Sequence, residues 1–439
     1  MEKLALLGGT RVISQPAPKE LFKWPIITEK DEEVALDVIR NNRYSGTDIT
    51  EKFQEEFAEW IGRKYAVAYC NGTASLTAAM FSIGLGAGDE IICPTKTYWA
   101  SISQAINFGA SAVFCNIDDN LSMDPDDLER CITEKTKAIM VVHYLSYPCD
   151  MDRIMEIANR HGLKVIEDVS HAQGAMYKGR KVGTFGDVAA MSLMSGKAFA
   201  AGELGIVVTD DRICYERALA FGHYEKNNDK FIKECEEIKP FPNIALGGLK
   251  GRANQLCSAL ARVQLKYYDE RTAEIRKAVN YFWDLLEGVP GIRAIRVDES
   301  DGSHMGGWYV PVGRYYSEEL HGLSAAKFCE AVRAEGFGGC WSGANFCLHT
   351  SNFFKGFDLR HAGVPSRIEY NDRDVRVDDE KCDLSVEKEC FYAPWFKHFD
   401  KEWIELYAKA FRKVIENHEQ LLESDTEKKQ DGRWFGTTN

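Results

Sequence analysis

The chain reads as an α/β protein: a large domain on a mostly parallel central sheet covered by helices, then a small C-terminal α+β domain. Three observations carry that reading. Between Tyr65 and Asp210, short apolar and β-branched runs alternate with helical patterns, the signature of parallel strands buried on both faces. At Gly288-Val289-Pro290-Gly291 a long helical pattern stops, so residues 1–288 are assigned to an N-terminal arm and the large domain, and 289–439 to the small domain. The length of 439 residues is enough for two domains with a large core.

Taken in order, residues 1–30 read as an arm kept extended by Pro16, Pro18 and Pro25. Glu29 to Arg40 has Val34, Ala35, Val38 and Ile39 on one side and reads as an amphipathic helix; the run Asn41 to Gly46 breaks it. Thr50 is placed as the cap of the next helix, where Phe53, Phe57 and Trp60 recur at helical spacing and are assigned to the core. Strands are expected at Ala66–Cys70, Glu90–Cys93, Ala112–Ile117, Ala138–His143, Lys164–Ile166, Val188–Leu193 and Gly205–Thr209. Helices between them are expected at Ala74–Ile83, Trp99–Asn107, Pro125–Ile132 and Met151–His161. Phe221 to Gly251 is polar and glycine-containing, a candidate substrate loop, and Asn254 to Leu286 is a long helix. The small domain combines short strands, Ile292–Val297 and Trp308–Val312, with helices Ser324–Glu335 and Lys401–Asn417; the polar stretch from Ser424 reads as a frayed tail.

Composition narrows the function. A net charge of −13 argues against nonspecific nucleic-acid binding, which needs clustered cations. No apolar run reaches the ~20 residues of a membrane span, and the apolar part of MEKLALLGGTRV is too short for a signal peptide, so a cytoplasmic protein is expected. The 13 cysteines are odd in number and scattered through apolar runs, which fits free, buried thiols. Cys340, Cys347 and His349 lie close in sequence but lack a partner cluster, so no metal site is expected.

The chemistry concentrates where strands end, the edge at which open α/β sheets bind ligands. Asn71-Gly72-Thr73-Ala74-Ser75 follows a strand and opens a helix, offering free N–H groups and hydroxyls to a phosphate; the competing reading is an ordinary cap by Thr73 or Ser75. Gly84-Leu85-Gly86-Ala87-Gly88 follows a helix and precedes a strand, the wrong order for a dinucleotide fingerprint, and reads as a helix stop and turn. Tyr98 follows the next strand and could stack on a ring. Glu167 and Asp168 end the strand that begins at Lys164, and Ser192 ends another, which leads to Lys197 among Ala, Ser and Gly. A buried carboxylate and a lysine free of bulky neighbours are what pyridoxal 5'-phosphate (PLP) requires. The acid keeps the pyridine nitrogen protonated; the amine forms the Schiff base and later moves the proton.

In this order the residues resemble the DegT/DnrJ/StrS family of PLP-dependent sugar and cyclitol aminotransferases, of fold type I, over about residues 4 to 415. The N-terminal Leu4-Ala5-Leu6-Leu7-Gly8-Gly9 looks like the branch acting on keto-cyclitols and related substrates. The resemblance implies phosphate binding at Gly72, Thr73 and Ala74 and at Ser192, ring stacking by Tyr98, Asp168 on the pyridine nitrogen, His171 near the ring hydroxyl, and Lys197 as the covalent anchor. Lys250 stands where the family usually has an Asn that reaches the phosphate of the neighbouring subunit, and Gly251 stands in place of a Tyr. Tyr44, Ser45, Arg252 and His349 are candidate substrate contacts. Gly202-Glu203-Leu204-Gly205 and Ser146-Tyr147-Pro148 depart locally from the usual text.

The implied activity moves an amino group from glutamine or glutamate to a keto-sugar or keto-cyclitol, in a homodimer with shared active sites, without nucleic acid or membrane partners. The alternative is a PLP-binding regulator or sensor without turnover. Dehydration at a sugar carbon is a further rival, disfavoured because resembling enzymes of that kind replace the lysine. A nicotinamide-dependent oxidoreductase is disfavoured by the misplaced glycines.

Overall fold

The computed structural model describes residues 2–371, 373–374, 382 and 389–426. Its main sheet has seven strands in the order β1-β9-β8-β5-β4-β2-β3. These are β1 (Tyr65–Tyr69), β2 (Glu90–Pro94), β3 (Ser111–Cys115), β4 (Thr136–Val142), β5 (Lys164–Asp168), β8 (Val188–Ser192) and β9 (Gly205–Thr209). A two-stranded hairpin, β6 (Met176–Tyr177) with β7 (Arg180–Lys181), lies between β5 and β8 in sequence. Every strand of the main sheet runs the same way except β9, which is antiparallel to both neighbours, β1 and β8. Parallel strands need crossovers, and the helical patterns supply them: α3 (Gly72–Ser82), α4 (Pro125–Cys131) and α5 (Met151–His161).

Upstream lie α1 (Glu29–Arg40) and α2 (Asp48–Ile61); downstream lie α6 (Arg212–Gly222), the 31-residue α7 (Gln255–Leu285) and α8 (Ala325–Glu335). A second sheet, β10 (Ile292–Ala294), β11 (Val312–Tyr315) and β12 (Cys390–Tyr392), is antiparallel. Its Phe391 shares a core with Phe282 and Trp283 of α7, Phe328 of α8 and Phe411 of the helix Lys401–Glu416.

Several expectations are corrected. The arm is not extended throughout, since Ala5–Leu7 and Lys19–Phe22 are 3₁₀ turns. Leu4, Ile13 and Leu21 are buried in that same core, and the carboxylate of Glu335 accepts the N–H groups of Ala5 and Val12. Thr50 sits inside the first turn of α2, because the helix already begins at Asp48 after Thr47. The helix expected over Trp99–Asn107 is two tight 3₁₀ stretches, Trp99–Ser101 and Ser103–Phe108, divided at Ile102 by a non-helical backbone. The strand expected at Trp308–Val312 starts only at Val312, since Trp308 and Val310 have φ of 50° and 51°, left-handed values that no strand accommodates. Ser424 closes a 3₁₀ stretch and Asp425 accepts from Ser324, while residues 427–439 of the expected tail lie outside the described residues. Eleven cysteines are free, but Cys347 pairs with Cys382 across a Cα separation of 6.2 Å, contrary to the expectation of free thiols throughout.

Candidate active site

Five strands, β1, β2, β4, β5 and β8, deliver their carboxyl ends to one cavity of ≈350 Å³, within the size range of small-molecule sites. After β1, Asn71 caps α3: its Oδ1 accepts from Ala74 N at 2.8 Å, so the cap is Asn71 and neither Thr73 nor Ser75. That bond occupies the Ala74 amide, and of the expected Gly72-Thr73-Ala74 cradle the wall of the cavity contains Gly72 and Thr73. Gly72 has to be glycine, because a Cβ there would sit 2.4 Å from the Cβ of Ser192, the last residue of β8. The start of α3 and the end of β8 thus meet at backbone distance and bring the Ser192 hydroxyl to the helix N-terminus.

Beyond β2, Tyr98 lines the cavity at 39% exposure. At the end of β5, Asp168 is buried and both of its oxygens are held: Oδ2 accepts from Ser101 Oγ at 2.7 Å and Oδ1 from Ser170 N at 3.0 Å. Its neighbour Glu167 points the other way, taking N–H bonds from Gly183, Phe185 and Gly186 and meeting His143 Nε2 at 3.1 Å. Burial pushes the His143 pKa down, but Cys149 and Glu167 override it and raise it to about 9. Cys149 N donates to His143 Nδ1 at 3.1 Å, and the buried contact of Nε2 with Glu167 fixes the strand end from behind.

His171 lies over the cavity with its Nδ1 accepting from Leu145 N and its ring 4.3 Å from that of Tyr309. Burial, and then the charge of Lys197, hold its pKa well below the ordinary value, so the imidazole is neutral with the proton on Nε2. Lys197 is 9% exposed and its Nζ stands 4.4 Å from the Tyr309 ring centroid. Burial lowers its pKa to about 8 against the opposing pull of Asp168, which leaves roughly a tenth of it as free amine at pH 7.

Lys197, Asp168, His171, Tyr98, Gly72, Thr73 and Ser192 therefore converge on one cavity, as the sequence reading has them. Four other candidates lie apart. Tyr44, Ser45, Lys250 and Arg252 line an adjoining hollow of ≈410 Å³ that shares Glu203 with the first. Gly251 belongs there by sterics, since a Cβ on it would come within 2.7 Å of the Tyr69 ring. His349 is buried behind the wall, with its Nδ1 2.6 Å from Thr95 Oγ1. Sequence reasoning missed Ser101, Ser170, Tyr309 and Asn345, all of which face the cavity. Only the positive φ values flanking Tyr309 mark it as unusual, and φ is invisible in sequence.

A larger groove of ≈690 Å³ along α1, α2 and α7 holds ion-paired side chains such as Arg43 with Asp37 and Arg262 with Glu56, without any of the converging residues. Among the described residues one cluster, Cys115, Asp127 and Cys131, has donor atoms spaced for a metal, but the Arg130 guanidinium already occupies both Asp127 oxygens.

The donor set fits PLP. A buried amine and a buried carboxylate face one cavity, and hydroxyls surround a helix start too tight for any side chain at Gly72. The sequence profile of the DegT/DnrJ/EryC1/StrS aminotransferase family matches residues 25–338. The chain is 33% identical over 344 residues to the L-glutamine:2-deoxy-scyllo-inosose aminotransferase of Streptomyces kanamyceticus, covering 76% of this chain and 78% of that protein. It is 32% identical over 289 residues to the GDP-perosamine synthase of Vibrio cholerae, covering 64% and 73%. The solved aminotransferase of Psychrobacter cryohalolentis superposes with a TM-score of 0.77 at 27% identity, covering 90% of this chain and 99% of that one.

Proposed function

The chain belongs to the DegT/DnrJ/EryC1/StrS aminotransferase family, whose enzymes are PLP-dependent, and on that premise we propose that it moves an amino group from glutamine or glutamate to a keto-sugar or keto-cyclitol. The observation that carries the reading is the meeting of the Lys197 amine and the Asp168 carboxylate in a single cavity at the sheet's carboxyl edge. PLP, held by these residues, supplies an electron sink for the carbon that exchanges its amino group.

The chain's own groups do the rest. Lys197 would anchor the cofactor and, as a free amine, would move the proton at the reacting carbon, a role that a pKa lowered by burial to about 8 suits. Asp168, fixed by Ser101 and Ser170, keeps a proton on the pyridine nitrogen. Gly72, Thr73 and Ser192 bind the phosphate, Tyr98 stacks on one ring face, and neutral His171 addresses the ring hydroxyl from its Nε2–H. Lys250 lies outside this cavity, which fits a role toward the phosphate of a second copy in a homodimer with shared sites. Tyr44, Ser45 and Arg252 then contact substrate from the adjoining hollow, and His349 acts from behind through Thr95.

The reading places the enzyme in the cytoplasm, supported by eleven free thiols and opposed by the Cys347–Cys382 disulfide. Among the described residues no helix is long and apolar enough to cross a membrane. The test is spectroscopic. Protein loaded with PLP is yellow; glutamine or glutamate should bleach it, and one member of a panel of keto-cyclitols and nucleotide-linked keto-sugars should restore the colour. A protein that binds PLP but is never bleached by an amino donor is a regulator or sensor instead.

A further inference from the structure

We propose that Asn345 determines acceptor specificity: its side-chain amide reads two neighbouring hydroxyls on a polyhydroxylated ketone. The inference rests on the aminotransferase reading of this cavity. Asn345 is fully buried and lines the cavity alongside Lys197 and Tyr309, yet neither its Oδ1 nor its Nδ2 meets a hydrogen-bond partner in the protein. A buried donor and acceptor left unmade are unfavourable, and a native chain that keeps them has a use for them. The Tyr144 hydroxyl, also buried without a bond, lies toward this amide but outside hydrogen-bond geometry. If those two groups closed on each other, one amide atom would still face the cavity unpaired.

The amide is held in place by more than its own loop. The buried Lys96 Nζ donates to the main-chain oxygen of Asn345. Leu348 N donates to Thr95 O at 2.8 Å, and His349 Nδ1 meets Thr95 Oγ1 at 2.6 Å. Residues 345–349 are thus tied to the segment that leaves β2, so the sheet that positions Asp168 also positions Asn345.

The chemistry of the amide selects the ligand. It presents an acceptor and a donor side by side, and a vicinal diol presents a donor and an acceptor at matching separation. An anionic group would face the Oδ1 acceptor unfavourably, and a deoxy carbon would leave the amide unmade, so a site of this kind discriminates against both. The acceptor class that fits is a ring ketone with at least two adjacent free hydroxyls.

The test compares wild type, Asn345→Ala and Asn345→Leu, each loaded with PLP. The donor half-reaction is followed with glutamine and glutamate. The acceptor half-reaction is followed with a pentahydroxycyclohexanone, a nucleotide-linked 4-keto-6-deoxyhexose, and deoxy analogues of each lacking one hydroxyl of the diol. In Asn345→Ala the donor half-reaction should keep its rate, while kcat/KM for the accepted ketone should fall about ten- to hundredfold, mostly through KM, and preference over the deoxy analogue should collapse. An unchanged acceptor half-reaction, or a loss confined to the donor half-reaction, overturns the proposal. A wild type inert to both amino donors overturns the aminotransferase reading instead. Independently of turnover, apoprotein carrying Asn345→Leu, a substitution of similar branching, should melt no lower than wild type; a drop of several degrees would make the amide structural and overturn the proposal.

Discussion

Asp168 and Asn345 face the same cavity, yet both oxygens of the first are bonded and neither amide atom of the second is. The floor, made by the ends of β5 and β8 and the start of α3, presents in Asp168 a carboxylate whose protein partners are complete. The wall, at the loop around Asn345, presents an amide whose partners are not. A carboxylate that must hold one orientation on every turnover is saturated by its neighbours, as Asp168 is. Groups that recognise one ligand keep bonding capacity for it, and loops on a rigid scaffold are where such groups sit.

The sharpest way to break this contrast is to empty the floor. Lys197→Ala should lower amino transfer by about 10⁴-fold or more, combining loss of the anchor and of the proton carrier; rapid-mixing kinetics with glutamine would check it. Asp168→Ala should cost about 10²–10³-fold while leaving some cofactor bound, measurable as retained absorbance with slowed bleaching. Ser101→Ala removes one of the two bonds to Asp168 and should cost about tenfold in kcat with little change in KM, the mark of a positioning residue.

Two pH effects follow from Lys197 and Lys397, buried lysines whose pKa values burial lowers. Burial lowers the Lys197 pKa to about 8, so the apoprotein should take up PLP faster as pH rises through that value, because the free amine is the reacting form. Lys397 lies behind the wall against Trp395 and Trp24 with no hydrogen-bond partner, and burial holds its pKa well below the ordinary lysine range. A folded-state pKa below the unfolded value means that the unfolded chain binds more protons, so this lysine destabilises the fold below its folded pKa, and stability recovers as pH climbs toward the unfolded value. Lys397→Met should raise stability at neutral pH by about 1 kcal/mol or more, flatten the alkaline rise and leave the half-reaction rates near wild type; thermal melts across pH would show it.

The same contrast explains what the sequence could reveal. Strand runs such as Gly205–Thr209 and helices such as Glu29–Arg40 and Met151–His161 are legible residue for residue, because burial on a sheet or a helix face imposes a period. Asp168, Ser192 and Lys197 are legible because they stand at strand ends. Ser101 is not, since its role is fixed by a bond to a residue 67 positions away. Tyr309 was assigned to a strand that the left-handed backbone at Trp308 and Val310 prevents, and Asn345 sits in a loop with no period. Lys250 and His349 stand by motif position alone: the folded chain sets one in the adjoining hollow and the other against Thr95, and no strand end marks either in the sequence.

One measurement reaches the centre of the account: borohydride reduction of the PLP-loaded protein, followed by peptide mapping of the pyridoxyl label. The label should fall on the peptide containing Lys197, at one per chain, and should vanish in Lys197→Ala. A label on Lys96, Lys250 or Lys397 with Lys197 unmodified, or no label at all on a yellow protein, would contradict it.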